Sequence, residues 1–310
     1  MYSSKVNASL KAHYFHLLAA YIVLLKPSVM YLAVFTAATG LFLAPAHVSL
    51  SCAFLAIICI ALGGGSAGAL NMWYEADIDA LMRRTRQRPI PAKKIAPLHA
   101  LLFGLGLAVI SVLGLGYFTN SLAAFLLGFT IFFYAVVYTI FLKRYTPQNI
   151  VIGGIAGALP PMVGWAAATG QVSWASFFLF LIIFLWTPGH FWSLCLFTVG
   201  DYAAANIPML PNVKGVAVTK KQILFYTILT AFSGVLPFWF FPFLGPVYAV
   251  IATLLGGGFV YYAWRLLRAK EGEETIFWAK KTFFFSLTYL FILFGVLFLF
   301  GIAQYIIKLC

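Results

Sequence analysis

The chain has 310 residues, of which 63% are hydrophobic and only 9% charged, and its mean hydropathy is +0.98. This composition excludes an ordinary water-soluble globular protein, and several apolar runs of about twenty residues predict membrane-spanning helices. A transmembrane β-barrel is excluded too, because it would show short alternating segments instead of an unbroken apolar run such as residues 122–142.

In chain order, residues 1–27 are predicted to form a polar tail that leads into an interfacial helix, and residues 28–310 to form one membrane domain. We predict nine spans, at residues 28–44, 51–71, 98–118, 122–142, 150–169, 174–197, 223–243, 247–267 and 283–306. We interpret spans one to four and five to eight as a weak pseudo-repeat, to which span nine is added.

The net charge of +13 is predicted to lie almost entirely on one side of the membrane. Every lysine and arginine except Lys308 falls in segments on that side, as do all seven acidic residues. The positive-inside rule assigns this side to the cytoplasm. We therefore expect a multi-pass protein of the bacterial inner (cytoplasmic) membrane, with its N-terminus and active site on the cytoplasmic side. The expected partner of the basic residues is the lipid bilayer, and not nucleic acid.

Three oxygen-bearing side chains follow one another at four-residue intervals at the end of the second span, namely Asn71, Glu75 and Asp79. If the helix continues, all three lie along one face. Two carboxylates and an amide oxygen suit Mg2+, which is usually held by one or two carboxylates with waters and substrate phosphates. Arg84 and Arg88 suit the phosphate, because guanidinium groups bind its oxygens in pairs. The alternative is a charged loop, although orienting a membrane protein requires only basic residues.

A second charged segment, at residues 197–215, follows the sixth span and carries Asp201 ahead of Lys214. Membrane folds built from repeats tend to place their site at the repeat interface. We therefore interpret the two segments as facing walls of one cavity. The alternative is that Asp201 only caps a helix or pairs with a loop lysine, and Ala205 stands where a second carboxylate would continue the four-residue spacing.

His190 lies inside the sixth span beside Pro188 and Gly189. A break there would leave backbone carbonyls unpaired in lipid unless they face a cavity. An ionisable residue within a span is a candidate functional group, but a histidine bonded to a neighbouring helix is an equally open interpretation. Lys143 and Arg144 lie just before the fifth span. They are candidates for lining the same cavity, or they serve only to orient the protein in the membrane.

These motifs resemble those of the UbiA-type membrane prenyltransferases, whose first acidic motif is matched by Asn71-x-x-x-Glu75-x-x-x-Asp79 followed by Arg83-Arg84-Thr-x-x-Arg88-Pro. Other strings resemble the protohaem IX farnesyltransferase (haem O synthase) branch of that family, and the similarity extends over residues 26–221. These strings are Leu25-Lys26-Pro27, Lys143-Arg144-Tyr-Thr-Pro-Gln-Asn, Ala158-Leu-Pro-Pro161, Phe184-Leu-Trp-Thr-Pro-Gly-His190-Phe-Trp192, and Asp201-Tyr202 through Pro208-Met-Leu-Pro211.

The resemblance implies an all-α polytopic membrane protein with nine transmembrane helices around a central cavity. It implies transfer of the farnesyl group of farnesyl diphosphate to a vinyl group of haem B, giving haem O, with Mg2+ as the cofactor. The implied metal ligands are Asn71, Glu75, Asp79 and Asp201, and the implied catalytic residues are these four with Arg84, Arg88 and His190. The implied substrate-binding residues are Arg83, Lys143, Arg144, Tyr145, Trp192, Tyr202 and Lys214.

The resemblance also implies partners in haem biosynthesis or oxidase assembly. Two alternative functions are a UbiA-type enzyme with another aromatic or tetrapyrrole acceptor, and a transporter. The haem-branch strings argue against the first. The second would require charged groups across the bilayer, whereas the connections opposite the acidic residues are short and uncharged, for example residues 169–173.

Overall fold

The computed structural model describes residues 15–46 and 48–308, and its elements are helices joined by short connections. Of the predicted tail and interfacial helix at residues 1–27, residues 1–14 lie outside the described residues. The helices are α1 (Phe15–Leu24), α2 (Pro27–Leu43), α3 (Leu50–Tyr74), α4 (Ala76–Leu81), α5 (Pro97–Phe118), α6 (Ser121–Phe132), α7 (Asn149–Ala158), α8 (Pro160–Thr169), α9 (Trp174–Phe197), α10 (Val199–Ala204), α11 (Leu210–Val235), α12 (Pro237–Phe240), α13 (Gly245–Arg268) and α14 (Glu273–Ile307). A π-helix, Phe133–Leu142, continues α6, and a 3-10 turn, Pro242–Leu244, precedes α13.

Eight helical stretches of the described chain are long and apolar enough to cross a membrane, and the bent pair α1 and α2 would make a ninth. The two members of that pair meet at 54°. This arrangement confirms the predicted all-α membrane fold.

Two helices begin well before the predicted spans. The helix predicted at residues 223–243 begins already at Leu210, and the last helix begins at Glu273 instead of residue 283. Gly215, with φ of 82°, bends the first of these near its start, and Pro211 suits an N-terminal turn. Hydropathy marks only the apolar part of a helix, so both charged extensions were missed.

Helices α2 and α8 cross at very close range. A Cβ atom on Gly164 would lie 1.9 Å from the carbonyl oxygen of Ala37, and one on Gly40 would lie 1.9 Å from that of Pro161. Small residues at a membrane helix crossing let the backbones approach closely. The crossing therefore requires glycine at both positions.

The two charged segments lie against each other at one end of the bundle. The six-residue α4 follows α3, and the six-residue α10 follows α9. Ile78 of α4 and Met82 pack in one hydrophobic cluster with Tyr202, Ile207 and Met209 of the second segment. This packing brings the predicted site residues of both segments to the same end of the protein, while the pseudo-repeat itself stays a prediction.

Candidate active site

Asn71, Glu75 and Asp79 form a buried row where α3 ends and α4 follows. Their exposed fractions are 2%, 1% and 0%. The helix breaks at Glu75, where φ is −92° and ψ is 9°. Even so, the amide of Glu75 donates to the Asn71 carbonyl at 3.0 Å, and the amide of Asp79 donates to the Glu75 carbonyl at 2.8 Å. The four-residue hydrogen-bond spacing therefore continues through the break and keeps the three side chains on one side.

Each member of this row has a basic partner. Arg88 donates to both oxygens of Asp79, at 2.9 and 2.7 Å, and Lys143 donates to Oε1 of Glu75 at 2.5 Å. Burying a charge is unfavourable unless it is paired and hydrogen-bonded. The row is therefore neutralised within the protein by side chains from two separate parts of the chain.

Lys26 is the partner of Asn71, to whose Oδ1 atom its ammonium group donates. It sits at the bend between α1 and α2 in a left-handed conformation, with φ of 51°, and non-glycine residues in that conformation cluster at functional sites. Its ammonium group is also 5.8 Å from the ring centre of Tyr134. The bend therefore points a third cation at the row.

The π-helix fixes the orientation of the Asn71 amide. The Thr139 hydroxyl donates to the carbonyl of Tyr134 at 2.7 Å, and Nδ2 of Asn71 donates to the Thr139 oxygen at 2.9 Å. A hydroxyl has a single hydrogen, so Thr139 can only accept from Asn71. The oxygen of the amide must then face Lys26. Lys143 follows directly after the same π-helix, a structure that is frequent at functional sites.

Arg144 binds a different acid, Asp77, at the rim. Two nitrogens of its guanidinium group donate to the two carboxylate oxygens at 2.9 and 2.8 Å, and the group lies 4.9 Å from the ring centre of Tyr74. Partial burial raises the pKa of the Asp77 carboxyl group, but the hydrogen bonds and charge of Arg144 and the backbone amides of Ile78 and Asp77 together outweigh it, so the pKa is lowered. The Asp77 side chain is 61% exposed, so this pair lies at the surface and Arg144 is turned away from the buried row.

Asp201, on α10, lies close to the first segment. One of its oxygens is 3.8 Å from Nε of Arg83, whose side chain is 89% exposed. Burial raises the pKa of the neighbouring Tyr202, an effect that the guanidinium group of Arg84 opposes. Arg83, Arg84, Asp201 and Tyr202 thus meet at the contact between the two segments.

The donor set fits a magnesium diphosphate better than a metal held by protein alone. Among the described residues, no three His, Cys, Asp or Glu side chains are grouped closely enough to hold a metal ion, so Asp201 does not join Glu75 and Asp79 in such a cluster. Two carboxylates and the fixed Asn71 oxygen remain, and Mg2+ commonly uses one or two carboxylates with phosphate oxygens and waters. The residues present therefore fit the ion when it arrives with a diphosphate.

His190 is held in a separate, aromatic environment. Its ring stacks on Trp186 at 4.1 Å and on Phe283 of α14 at 4.6 Å, between ring centres. Its Nδ1 atom lies 2.6 Å from the hydroxyl oxygen of Ser286. His190 therefore bonds a neighbouring helix through Nδ1, as one of the two interpretations predicted. Its other ring nitrogen, Nε2, takes no part in that bond.

Three predicted substrate-binding residues make no hydrogen bond to the buried row within the part of the chain that the structure describes. Tyr145 is 76% exposed, and Lys214 is exposed near the start of α11. Trp192 is 1% exposed and packs edge-on against Tyr226, and its indole nitrogen has no partner within the described chain. The roles predicted for these three residues stay predictions.

Four residues at the site had no role assigned from sequence: Lys26, Thr139, Phe283 and Ser286. Lys26 carried a signal, because a lysine before Pro27 interrupts an apolar stretch. Thr139 and Ser286 are single polar residues within apolar helices, and such residues also serve simply to hydrogen-bond their own helix. Only the packing of distant helices distinguishes the two roles.

The sequence is similar to known prenyltransferases over most of its length. Residues 33–288 match the sequence model of the UbiA prenyltransferase family. A protohaem IX farnesyltransferase of Brucella ovis is 61% identical over 277 residues, which cover 89% of this chain and 88% of the relative. One from Bartonella tribocorum is 59% identical, with 93% of each chain covered.

Solved structures share the fold at low sequence identity. The structure of a digeranylgeranylglyceryl phosphate synthase has a TM-score of 0.75 and 18% identity, covering 93% of this chain and 99% of the other. A UbiA homologue of Archaeoglobus fulgidus, bound to GPP and Mg2+, has a TM-score of 0.64 and 14% identity, covering 90% and 99%. The chain therefore belongs to the UbiA prenyltransferase family and to its protohaem IX farnesyltransferase branch.

Proposed function

We propose that the chain transfers the farnesyl group of farnesyl diphosphate to a vinyl group of haem B, giving haem O. The observation that carries the proposal is the buried row of Asn71, Glu75 and Asp79, in which each oxygen-bearing side chain has its own basic partner. The names of the relatives from Brucella and Bartonella support the choice of acceptor.

The row is built to exchange partners when a magnesium diphosphate binds. Lys26, Lys143 and Arg88 would turn from the row to the diphosphate oxygens, and the freed oxygens of Glu75 and Asp79, with that of Asn71, would hold Mg2+. The bound ion supplies positive charge that stabilises the leaving diphosphate. The GPP and Mg2+ bound by the Archaeoglobus homologue support this assignment. The predicted roles of Arg83 and Arg84 at the edge of the same site remain part of the proposal, but Asp201 does not enter it as a metal ligand.

The chemistry requires stabilisation of charge more than a strong base. The carbon–oxygen bond of farnesyl diphosphate breaks, the diphosphate leaves with the electron pair, and the haem vinyl group attacks the allylic carbon. Water then adds to the resulting cation and loses a proton, which leaves a hydroxyethylfarnesyl group. Arg88, Lys143 and Lys26 are placed before the reaction to stabilise the growing negative charge. The burial of the row keeps water from the reactive cation until the new bond has formed.

We further propose that the protein lies in the bacterial inner membrane with this site toward the cytoplasm. All the basic partners of the row come from segments that the positive-inside rule assigns to that side. Both substrates carry large apolar groups, so a site that opens within the bilayer suits their entry. Partners in haem biosynthesis or oxidase assembly would deliver haem B and receive haem O.

Mass spectrometry of extracted haems tests the reaction directly. The purified protein is incubated with haem B, farnesyl diphosphate and Mg2+, with an Asp79→Asn preparation as the control. We expect a haem whose mass has increased by one farnesyl group and one hydroxyl group, and no such product when a chelator removes Mg2+. Unchanged haem B, together with prenylation of a phenolic acceptor offered in parallel, would assign the site to another acceptor.

A further inference from the structure

The His190 ring is restrained on three sides. Trp186 covers one face and Phe283 the other, with interplanar angles of 15° and 24°. Ser286 occupies the edge at Nδ1. Because both faces are covered, a ligand can approach only in the plane of the ring, at the edge that carries Nε2. That is the direction in which an imidazole nitrogen binds a metal ion.

The hydrogen bonds of Ser286 determine which ring nitrogen carries the proton. Its hydroxyl oxygen lies 2.6 Å from the carbonyl oxygen of Phe283, one helical turn earlier, and donates to it. The single hydrogen of the hydroxyl is then used. Toward His190, the Ser286 oxygen can only accept, so Nδ1 must carry the proton. In the neutral ring, Nε2 is then unprotonated.

The unprotonated nitrogen is available to a ligand. His190 is half-buried, and Nε2 makes no hydrogen bond to residues 15–46 or 48–308. Ser286 makes a second contact with α9, because the indole nitrogen of Trp186 donates to the backbone carbonyl of Ser286 at 2.9 Å. The stack is therefore locked to α14 by one backbone contact and one side-chain contact.

We propose that Ser286 is a positioning residue that holds His190 with its proton on Nδ1, so that Nε2 binds the iron of the haem substrate. The inference rests on the proposed function, because it requires a haem acceptor. A histidine ligand almost always donates its other N–H to a fixed acceptor, which sets the tautomer and raises the basicity of the ligand. Ser286 supplies that acceptor here, and the two aromatic rings fix the ring plane.

The test compares Ser286→Ala with a matched serine variant, Ser111→Ala. Ser111 is also fully buried and donates to a carbonyl three residues earlier, that of Ala108, but it lies on α5. Haem B is titrated into each purified protein, and iron ligation is followed by absorption and by the iron–histidine vibration of the ferrous form. His190→Ala serves as the reference without the proposed ligand, and Ser286→Thr restores a hydroxyl.

We expect Ser286→Ala to weaken haem binding by about 10- to 100-fold, the usual effect of removing such a partner. We also expect the iron–histidine vibration to fall in frequency, because the ligand becomes less basic. Ser111→Ala should leave both quantities unchanged, and Ser286→Thr should restore them at least in part. Binding of farnesyl diphosphate should be equal in all variants, which excludes general damage to the fold.

Two results would overturn the inference. One is a wild-type haem complex whose spectrum lacks histidine ligation, and the other is a Ser286→Ala protein with wild-type affinity and vibration. Measuring farnesyl transfer in the same samples separates this failure from failure of the proposed reaction. Histidine ligation that depends on Ser286, in a protein that produces no haem O, would sustain the inference and reject the reaction.

Discussion

The buried row between α3 and α4 and the His190 stack represent two different ways of preparing a site. The row is ionic, and its partners, Lys26, Lys143 and Arg88, come from the first half of the chain. The stack is neutral and aromatic, and its members come from α9 and α14 in the second half. Under the proposed function, the first half of the chain binds the diphosphate and the second half binds the haem.

The difference has a physical reason. A diphosphate brings several negative charges, so its site must hold positive charge that stays neutralised until the ligand binds. Ion pairs that can exchange partners meet this need. A haem brings a large apolar ring system and one metal ion, so its site needs apolar surface and a single fixed nitrogen. Changes to the two regions should therefore affect different substrates.

The largest effect is expected from Asp79→Asn, which keeps the size of the side chain but removes its charge. Removing one group that stabilises transition-state charge lowers kcat by about 10²- to 10³-fold, and Asp79 is both a proposed metal ligand and the partner of Arg88. The rate of haem O formation, measured by mass spectrometry, checks this expectation.

Asp77→Asn is the matched control, two residues away. Asp77 also binds an arginine through both oxygens, but its side chain is 61% exposed. Exposed ion pairs contribute at most about 1 kcal/mol, so its rate should stay within about fivefold of wild type. Equal losses in the two variants would show that the buried row has no special role.

The common face of the row could be predicted from the sequence, but the basic partner of each of its members could not. The four-residue spacing of Asn71, Glu75 and Asp79 predicts a common face because helix geometry is local, and the structure places them together. Lys143 and Arg144 are adjacent in sequence, yet one binds the buried Glu75 and the other the exposed Asp77. Which of two neighbouring cations turns inward depends on how the π-helix ends, and hydropathy does not report this.

The stack was less predictable for the same kind of reason. His190 could be singled out, because an ionisable residue within a span is unusual. Its two interpretations could not be separated, because the decisive residue, Ser286, is 96 positions away on α14. That helix carries several hydroxyl side chains, and their sequence positions do not show which of them faces another helix.

The next largest effect is expected from two variants that each weaken the binding of a different substrate. Arg88→Lys keeps a charge beside Asp79 but removes the planar guanidinium group, which can bind two phosphate oxygens at once. We expect the KM for farnesyl diphosphate to rise about tenfold, the equivalent of one hydrogen bond to a charged group, while haem affinity stays unchanged. His190→Ala should show the opposite pattern. Steady-state kinetics and haem titration measure both quantities, and a rise in both for either variant would contradict a division between the two regions.

The smallest effect is expected at Thr139, which touches neither substrate but orients the Asn71 amide. Thr139→Val removes the oxygen that accepts from Asn71 at 2.9 Å and keeps the shape of the side chain. Losing one neutral hydrogen bond costs about 1 kcal/mol, so the concentration of Mg2+, or of Mn2+ in its place, needed for half-maximal binding should rise roughly fivefold. Titration with Mn2+ in the presence of farnesyl diphosphate, followed by electron paramagnetic resonance, measures this without turnover. Thr139→Ser should bind as wild type does.

Thr130→Val provides the control for that variant, because Thr130 lies on α6 and donates only to the carbonyl of Leu126 in its own helix. If Thr139 serves merely to stabilise its helix, both valine variants should lose similar thermal stability and bind metal equally well. If it orients Asn71, only Thr139→Val should weaken metal binding, and haem affinity should stay constant in both. The second pattern is the one that the fixed Asn71 oxygen predicts, because the change acts on a ligand of the ionic region and leaves the aromatic stack untouched.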